Sequence, residues 1–307
     1  MTAPLAGAAD GPGGPPGPAL RATCWGTRGS IPSPGPETIR FGGNTSCVEV
    51  RSAGGRCYIF DAGTGIRPLS RRLADAGGVV EADLFVTHFH WDHIQGFPFC
   101  TPLYDPGSRI RVHGPRQGDV DISRALAGQM GSIYFPIPLD ALAARVEWVH
   151  VNGHPWSDAE VEVAAMRVRH AEHTCGYRIR SGGASVAYIP DNELGGAANG
   201  EWYDRLVGFL EGVDLLFHDA MFTDGEYDRF RGWGHSTYGQ AVRLAEDAGV
   251  RRLALFHHAP DRGDDELDAL LAGLRADLAD RGSPLELSMA TEGEEMAVHP
   301  AAVGSAR

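Results

Sequence analysis

Residues 86–96 read VTHFHWDHIQG, and His88, His90, Asp92 and His93 crowd into this stretch directly after an apolar run. The whole chain holds only 13 histidines in 307 residues, so the local density calls for a chemical reason. Imidazole and carboxylate are ligands that zinc accepts at about 2.0–2.2 Å. In an extended chain residues i and i+2 project to the same side, so His88 and His90 converge on one ion. Asp92, read as a helix N-cap, lets the chain turn and carries its carboxylate and His93 round to a neighbouring ion. Imidazoles packed together for structure alone would each need a hydrogen-bond partner of their own. The spacing therefore predicts a strand-to-helix turn that feeds a metal centre, with further ligands supplied from distant parts of the chain.

The elements around that turn follow from periodicity. Apolar runs predict strands over 48–50, 57–63, 82–88, 161–170, 176–180, 184–191, 213–220 and 251–258. Amphipathic stretches predict helices over 65–78, closed by Gly77 and Gly78, over 236–250, opened by Ser236 or Thr237, and over 264–282. Asp61, His88, His170, Asp191, His218 and His257 each fall at or just past the C-terminal end of a predicted strand. That is where α/β folds assemble their sites. The alternation points to one α/β unit of stacked sheets with helices outside.

Composition narrows the class. With 43% apolar residues the chain can build a substantial core. No stretch reaches the ~18 apolar residues of a membrane span. The opening MTAPLAGAADGPGGPPGPAL lacks the basic and apolar regions of a secretory signal and predicts a disordered Gly/Pro-rich leader over residues 1–20. Five cysteines, odd in number and without CxxC spacing, point to a reduced, cytoplasmic protein. A net charge of −13 and a pI near 5.4 argue against a broad nucleic-acid footprint.

The order of the motifs resembles the metallo-β-lactamase fold hydrolases, whose signature is HxHxDH. FDAGTGI (60–66) is similar to that family's first motif, RHAEHTCGYRI (169–179) to its next histidine motif, and AYIPD (187–191) to the strand with its bridging aspartate. LLFHDAMF (215–222), GHST (234–237) and LALFHHAP (253–260) complete the series. The resemblance covers about residues 22–298. It implies an αββα sandwich in a single domain, 21–307. It further implies that His88, His90 and His170 hold one metal, that Asp92, His93 and His257 hold a second, and that Asp191 bridges both. Two Zn2+ ions per chain are expected, although Mn2+ or Fe2+ suits the same donors. His173 and His258 adjoin two of these positions. The spacing to Gly176 selects His170, and the relation to the strand and Pro260 selects His257. His113, His150, His154 and His299 have no such frame and are expected as surface or locally hydrogen-bonded residues.

Two such ions about 3.5–4 Å apart lower the pKa of a shared water and stabilise both oxygens of an in-line displacement. That chemistry is hydrolysis and suits phosphodiesters. Within the fold, the resemblance is to the branch that contains ribonuclease Z and cyclic phosphodiesterases. His235 is similar to the catalytic histidine of ribonuclease Z, and Asp219 is placed to orient it. The segment 25–47 looks like that branch's opening, with Arg28 expected either to contact a substrate phosphate or to form a structural salt bridge in its loop. GSIYFPIPL (131–139) is an apolar loop suited to a pocket wall or a homodimer contact. The insertion 114–150 is acidic or apolar and carries no basic arm, which favours a small or cyclic phosphodiester over nucleic acid. The alternatives are an ester, lactone or amide hydrolase on the same metals, and a tRNA 3′-processing endoribonuclease.

Overall fold

The computed structural model describes residues 17–171, 173–195 and 200–300. Most of the expected leader, residues 1–16, lies outside them. Its last residue is a correction: Leu20 is fully buried and opens the first strand, because its side chain fills the space between the sheets.

Among the described residues fourteen strands form two seven-stranded sheets. The first contains β1 (Leu20–Gly26), β2 (Cys47–Ser52), β3 (Cys57–Phe60), β4 (Glu81–Phe85), β5 (Arg109–Gly114) and β6 (Arg145–His150). The second contains β7 (Trp156–Ser157), β8 (Glu162–Arg167), β9 (Cys175–Ser181), β10 (Ala184–Ile189), β11 (Leu215–Asp219), β12 (Arg252–Phe256) and β13 (Glu286–Met289). The last strand, β14 (Glu295–Val298), returns to the first sheet, giving the order β14-β1-β2-β3-β4-β5-β6. The second sheet runs β13-β12-β11-β10-β9-β8-β7. In each sheet one half is parallel, β3 to β6 and β10 to β13, and the other half antiparallel. Parallel strands covered on both faces need continuous apolar runs. ASVAYI of β10 and CYIF of β3 are buried at every position.

The sheets pack face to face through Leu20, Val50, Phe60 and Phe85 on one side and Tyr177, Ile179, Phe217 and Phe256 on the other. Helices α1 (Ile66–Asp75) and α3 (Ile122–Gln129) cover the first sheet, and a short α2 (Trp91–Ile94) lies between them in sequence. Helix α4 (Glu201–Leu210) is followed by the single turn α5 (Tyr227–Phe230). Together with α6 (Tyr238–Asp247) and α7 (Asp264–Asp280), α4 covers the second sheet. The result is the expected αββα sandwich. Gly77 and Gly78 follow α1 with φ of 74° and 86°, the left-handed geometry that a glycine permits after a helix end. Thr237 is the N-cap of α6, in a reciprocal pair with Gln240. No helix among the described residues is long and apolar enough to cross a membrane.

Candidate metal centre

The turns that follow β4, β8, β10 and β12 meet at one edge of the sandwich. Donor atoms of His88, His90 and His170 lie within 4.8 Å of one another, and so do those of Asp92, His93 and His257. Asp191 sits between the triads, with Oδ2 2.9 Å from His93 Nε2 and Oδ1 3.3 Å from His257 Nε2 and 3.6 Å from His170 Nε2. All seven ligand candidates from the sequence are therefore brought together. The two rejected neighbours point elsewhere. His258 Nε2 donates to the Ala290 carbonyl (3.0 Å), and His173 joins no such cluster among the described residues.

One detail of the turn differs from expectation. The N-cap of α2 is His90, and Asp92 lies inside the first turn. A free first-turn amide does not hold the Asp92 carboxylate; the Ser30 amide from another loop donates to its Oδ2 (2.8 Å).

The ring orientations are set by a layer behind the ligands. His93 Nδ1 donates to Asp61 Oδ2 (2.7 Å), which leaves Nε2 facing the cluster. Asp61 also accepts from the Thr87 amide (2.7 Å), the Thr87 hydroxyl and Tyr188 OH (3.0 Å). His88 Nδ1 donates to Thr87 Oγ1 (3.0 Å), so one carboxylate orders ligands of both triads. His170 Nδ1 donates to the Gly234 carbonyl (2.9 Å), and its Nε2 lies 3.0 Å from His90 Nδ1. Such outer partners fix the tautomer and basicity of metal-binding imidazoles. Asp61 and His257 both have φ of 61°, a region that costs a non-glycine residue roughly 1–3 kcal/mol and concentrates at functional sites. Two glycines make room for the rings: a Cβ at Gly29 would sit 2.3 Å from His257 Nδ1, and one at Gly234 2.3 Å from His170 Nδ1.

The charge balance fits divalent cations. Asp61, Asp92, Asp191 and Asp219 are each at most 5% exposed, and among the described residues they form ion pairs only with histidines. Buried charge of this density requires positive charge nearby. Burial, helped by His93, holds His88 well below the usual imidazole range, and burial also lowers His90 and His170. Neutral imidazole is the form that binds a metal. Burial opposes ionisation of Asp92 and Asp191, yet the facing imidazoles keep both carboxyls well below their ordinary range. Burial would likewise discharge His93, but Asp191, Asp92 and Asp61 raise it well above normal. A proton there answers the same demand for positive charge that a cation would meet. His88 Nε2 is buried without a hydrogen-bond partner, and the buried His93 Nε2 and Asp191 Oδ2, 2.9 Å apart, meet as an ion pair without hydrogen-bond geometry. Ligand atoms of the right chemistry, converging on two points, fit a pair of metal ions.

Beside the triads, His235 Nδ1 lies 2.8 Å from Asp219 Oδ2, and the ring stacks on His257 with centroids 4.9 Å apart. Burial disfavours the imidazolium, but Asp219, with Asp191 and Asp92 behind it, raises the His235 pKa to about 9. His235 also comes within ligand reach of the His170–Asp191 and Asp219–His257 pairs. His218, at the end of β11, is not part of the cluster: its Nδ1 donates to the Asp219 carbonyl (2.7 Å).

Of the two readings of Arg28, the structure overturns the phosphate contact and favours the structural one. The Arg28 guanidinium is fully buried and donates to the carbonyls of Gly42 (2.8 Å), Ala259 (3.1 Å) and Arg262 (2.6 Å), with Asp264 at 3.9 Å. It cannot reach a substrate phosphate. It fastens the 27–30 loop to the turn after β12, and that loop supplies the Ser30 amide to Asp92 and packs Gly29 against His257. Sequence reasoning saw Asp61 as a strand-end aspartate and missed its bracing role. The apolar 131–139 loop is exposed at Ile133 and Tyr134, and Tyr134 and Phe135 wall a cavity of about 680 Å3 with Phe89 and Trp91.

Comparison with known proteins agrees with this geometry. The Beta-lactamase superfamily domain matches residues 56–258, a span that contains all seven ligand candidates. Ribonuclease Z of Halobacterium salinarum is 28% identical over 284 residues, covering 78% of this chain and 86% of the relative. The metallo-β-lactamase fold protein YhfI of Bacillus subtilis superposes with a TM-score of 0.65 at 20% identity, covering 92% of this chain and 99% of YhfI. A diphosphatase of the PhnP family does so with a TM-score of 0.63 at 20% identity, over 90% of this chain and 97% of the other. Shared topology and a matched span that encloses the clustered histidines and aspartates lead to one conclusion: the chain belongs to the β-lactamase superfamily.

Proposed function

We propose that this protein is a dinuclear metal-dependent phosphodiesterase acting on a small or cyclic phosphodiester. The observation that carries the reading is the meeting of two donor triads around Asp191, with an Asp219–His235 pair alongside. His88, His90 and His170 would hold one ion, Asp92, His93 and His257 the other, and Asp191 would bridge them. Ions bound there would supply an activated water and positive charge for an in-line displacement at phosphorus. Asp219 holds His235 by its Nδ1, so Nε2 is the nitrogen that delivers a proton to the departing oxygen. Asp61 and Gly234 keep their imidazoles turned toward the centre. The ribonuclease Z and PhnP-family likenesses support phosphoester chemistry. The five cysteines are unpaired thiols, which fits a reducing, cytoplasmic setting.

The test is turnover by zinc-loaded protein of bis-p-nitrophenyl phosphate, 2′,3′- and 3′,5′-cyclic nucleotides and a panel of lactones. Phosphodiester hydrolysis is expected, falling to background in a His88→Ala/His90→Ala variant. His235→Ala should slow it roughly 10²–10⁴-fold, the usual contribution of a positioned proton donor. Lactone hydrolysis that is indifferent to His235 would select a carbonyl hydrolase instead. A second reading, cleavage of tRNA precursors, is favoured by the name of the Halobacterium relative and is checked by adding a precursor tRNA to the same panel.

A further inference from the structure

A cavity of about 1140 Å3 opens beside the metal cluster and shares His170 and Gly234 with it. Its wall is basic and aromatic: Arg167, Arg169 and Arg231 stand with Trp202 and Tyr227. This is unexpected in a chain of net charge −13. Arg231 is paired with Asp228 (2.7 Å), but among the described residues the guanidinium groups of Arg167 and Arg169 have no carboxylate partner. The one acid on the wall, Glu193, already accepts from Tyr227 OH (2.7 Å) and from the amides of Gly232 (2.8 Å) and Gly234 (2.9 Å).

The two free cations are placed by the segment that delivers His170. Arg167 ends β8, and Arg169 follows two positions later on the same side of an extended chain, so both line the cavity. The Arg169 guanidinium lies over the Trp202 ring, 4.0 Å from its centroid. Stacking occupies the face of the guanidinium and leaves its in-plane N–H edge free, the edge that grips phosphate bidentately. Both groups lie within about 10 Å of chain from a proposed metal ligand.

Resting on the phosphodiesterase reading, we infer that this cavity is a second-phosphate subsite, and that the substrate is a diester carrying another phosphate beyond the one that is cleaved. Arg167 and Arg169 take the additional phosphate while the scissile group lies on the His170 side. A diester with a single phosphate leaves these two cations unused.

Calorimetry on the zinc-loaded protein tests this without turnover, with adenosine 3′,5′-bisphosphate and adenosine 5′-monophosphate as probes. The wild type is expected to bind the bisphosphate roughly tenfold more tightly, as charge-assisted contacts to two arginines allow. In Arg167→Gln/Arg169→Gln, where both side chains are exposed and the fold is not at stake, the ratio should fall to within about twofold. Equal binding by the wild type, or a preference that survives in the double variant, overturns the subsite. Failure of the wild type to hydrolyse any phosphodiester, with the binding preference intact, counts against the catalytic reading alone.

Discussion

The first triad carries the one exposed donor, His90, beside a fully buried His88 and a His170 side chain 5% exposed, whereas Asp92, His93 and His257 all lie inside at 5%, 0% and 1% exposure. The first, outer triad is lightly tethered, through Thr87 behind His88 and the Gly234 carbonyl behind His170. The inner triad is braced by Asp61, by the Ser30 amide, and by a loop that Arg28 ties down with three backbone carbonyls. The difference separates two tasks. In the proposed centre the inner donors are the more preorganised to hold an ion, and of the outer triad His170 also lines the large cavity beside the cluster.

Three variants sharpen or break this contrast. The largest effect is expected from Arg28→Met, which removes the guanidinium that the carbonyls of Gly42, Ala259 and Arg262 share and the buried cation beside Asp264. Urea unfolding should show a loss of about 4 kcal/mol, and a loss under about 1 kcal/mol would mean that the inner half does not depend on this clamp. Next comes Asp61→Asn, which keeps the shape but removes the charge-assisted acceptor from His93. Zinc affinity of the inner half should weaken about 10–100-fold, measured by equilibrium dialysis against a competing chelator, with a stability cost of about 2 kcal/mol. Unchanged affinity would show that His93 is oriented by packing alone. The smallest cost belongs to His90→Ala: stability should stay within about 1 kcal/mol of wild type, while bound zinc by elemental analysis drops from two ions to one. A variant that keeps both ions, or loses both, removes the distinction between the halves.

The strand-end histidines and aspartates could be read from the sequence because each motif is local: an apolar run followed by a polar residue needs no knowledge of partners. Residues whose role depends on distant partners could not. Arg28 sits in a Gly/Ser loop that suits a phosphate contact as well as a structural salt bridge, and only the carbonyls of Ala259 and Arg262, more than two hundred positions away, reveal a clamp. Asp61 read as one more strand-end acid, since nothing in its neighbourhood names His93 or Tyr188 as its donors. Six strands lie outside the predicted ranges, and two of them, β1 and β5, are interior strands whose apolar residues were overlooked, whereas others carry a weak signal. β6 is an edge strand whose positions are all half-buried or exposed, and β14 is four residues long, so neither has a sustained apolar signature. Helix α4 went unrecognised because half of its apolar positions, Trp202, Tyr203 and Phe209, are aromatic residues of middling helix propensity. The predicted strands are each present: β2 and β9 run longer than expected, and the other six are shorter, mostly because their last polar residues belong to the turns that carry the chemistry.

The donors come from both layers of the sandwich: one sheet contributes the residues after β4, and the other contributes those after β8, β10 and β12. Seated there, a pair of cations would act as a rivet through the seam, so neither layer could shift against the other without releasing its cargo. Catalytic competence is thereby tied to the integrity of the whole polypeptide, and a severed or half-opened molecule would keep neither the ions nor the ability to cut.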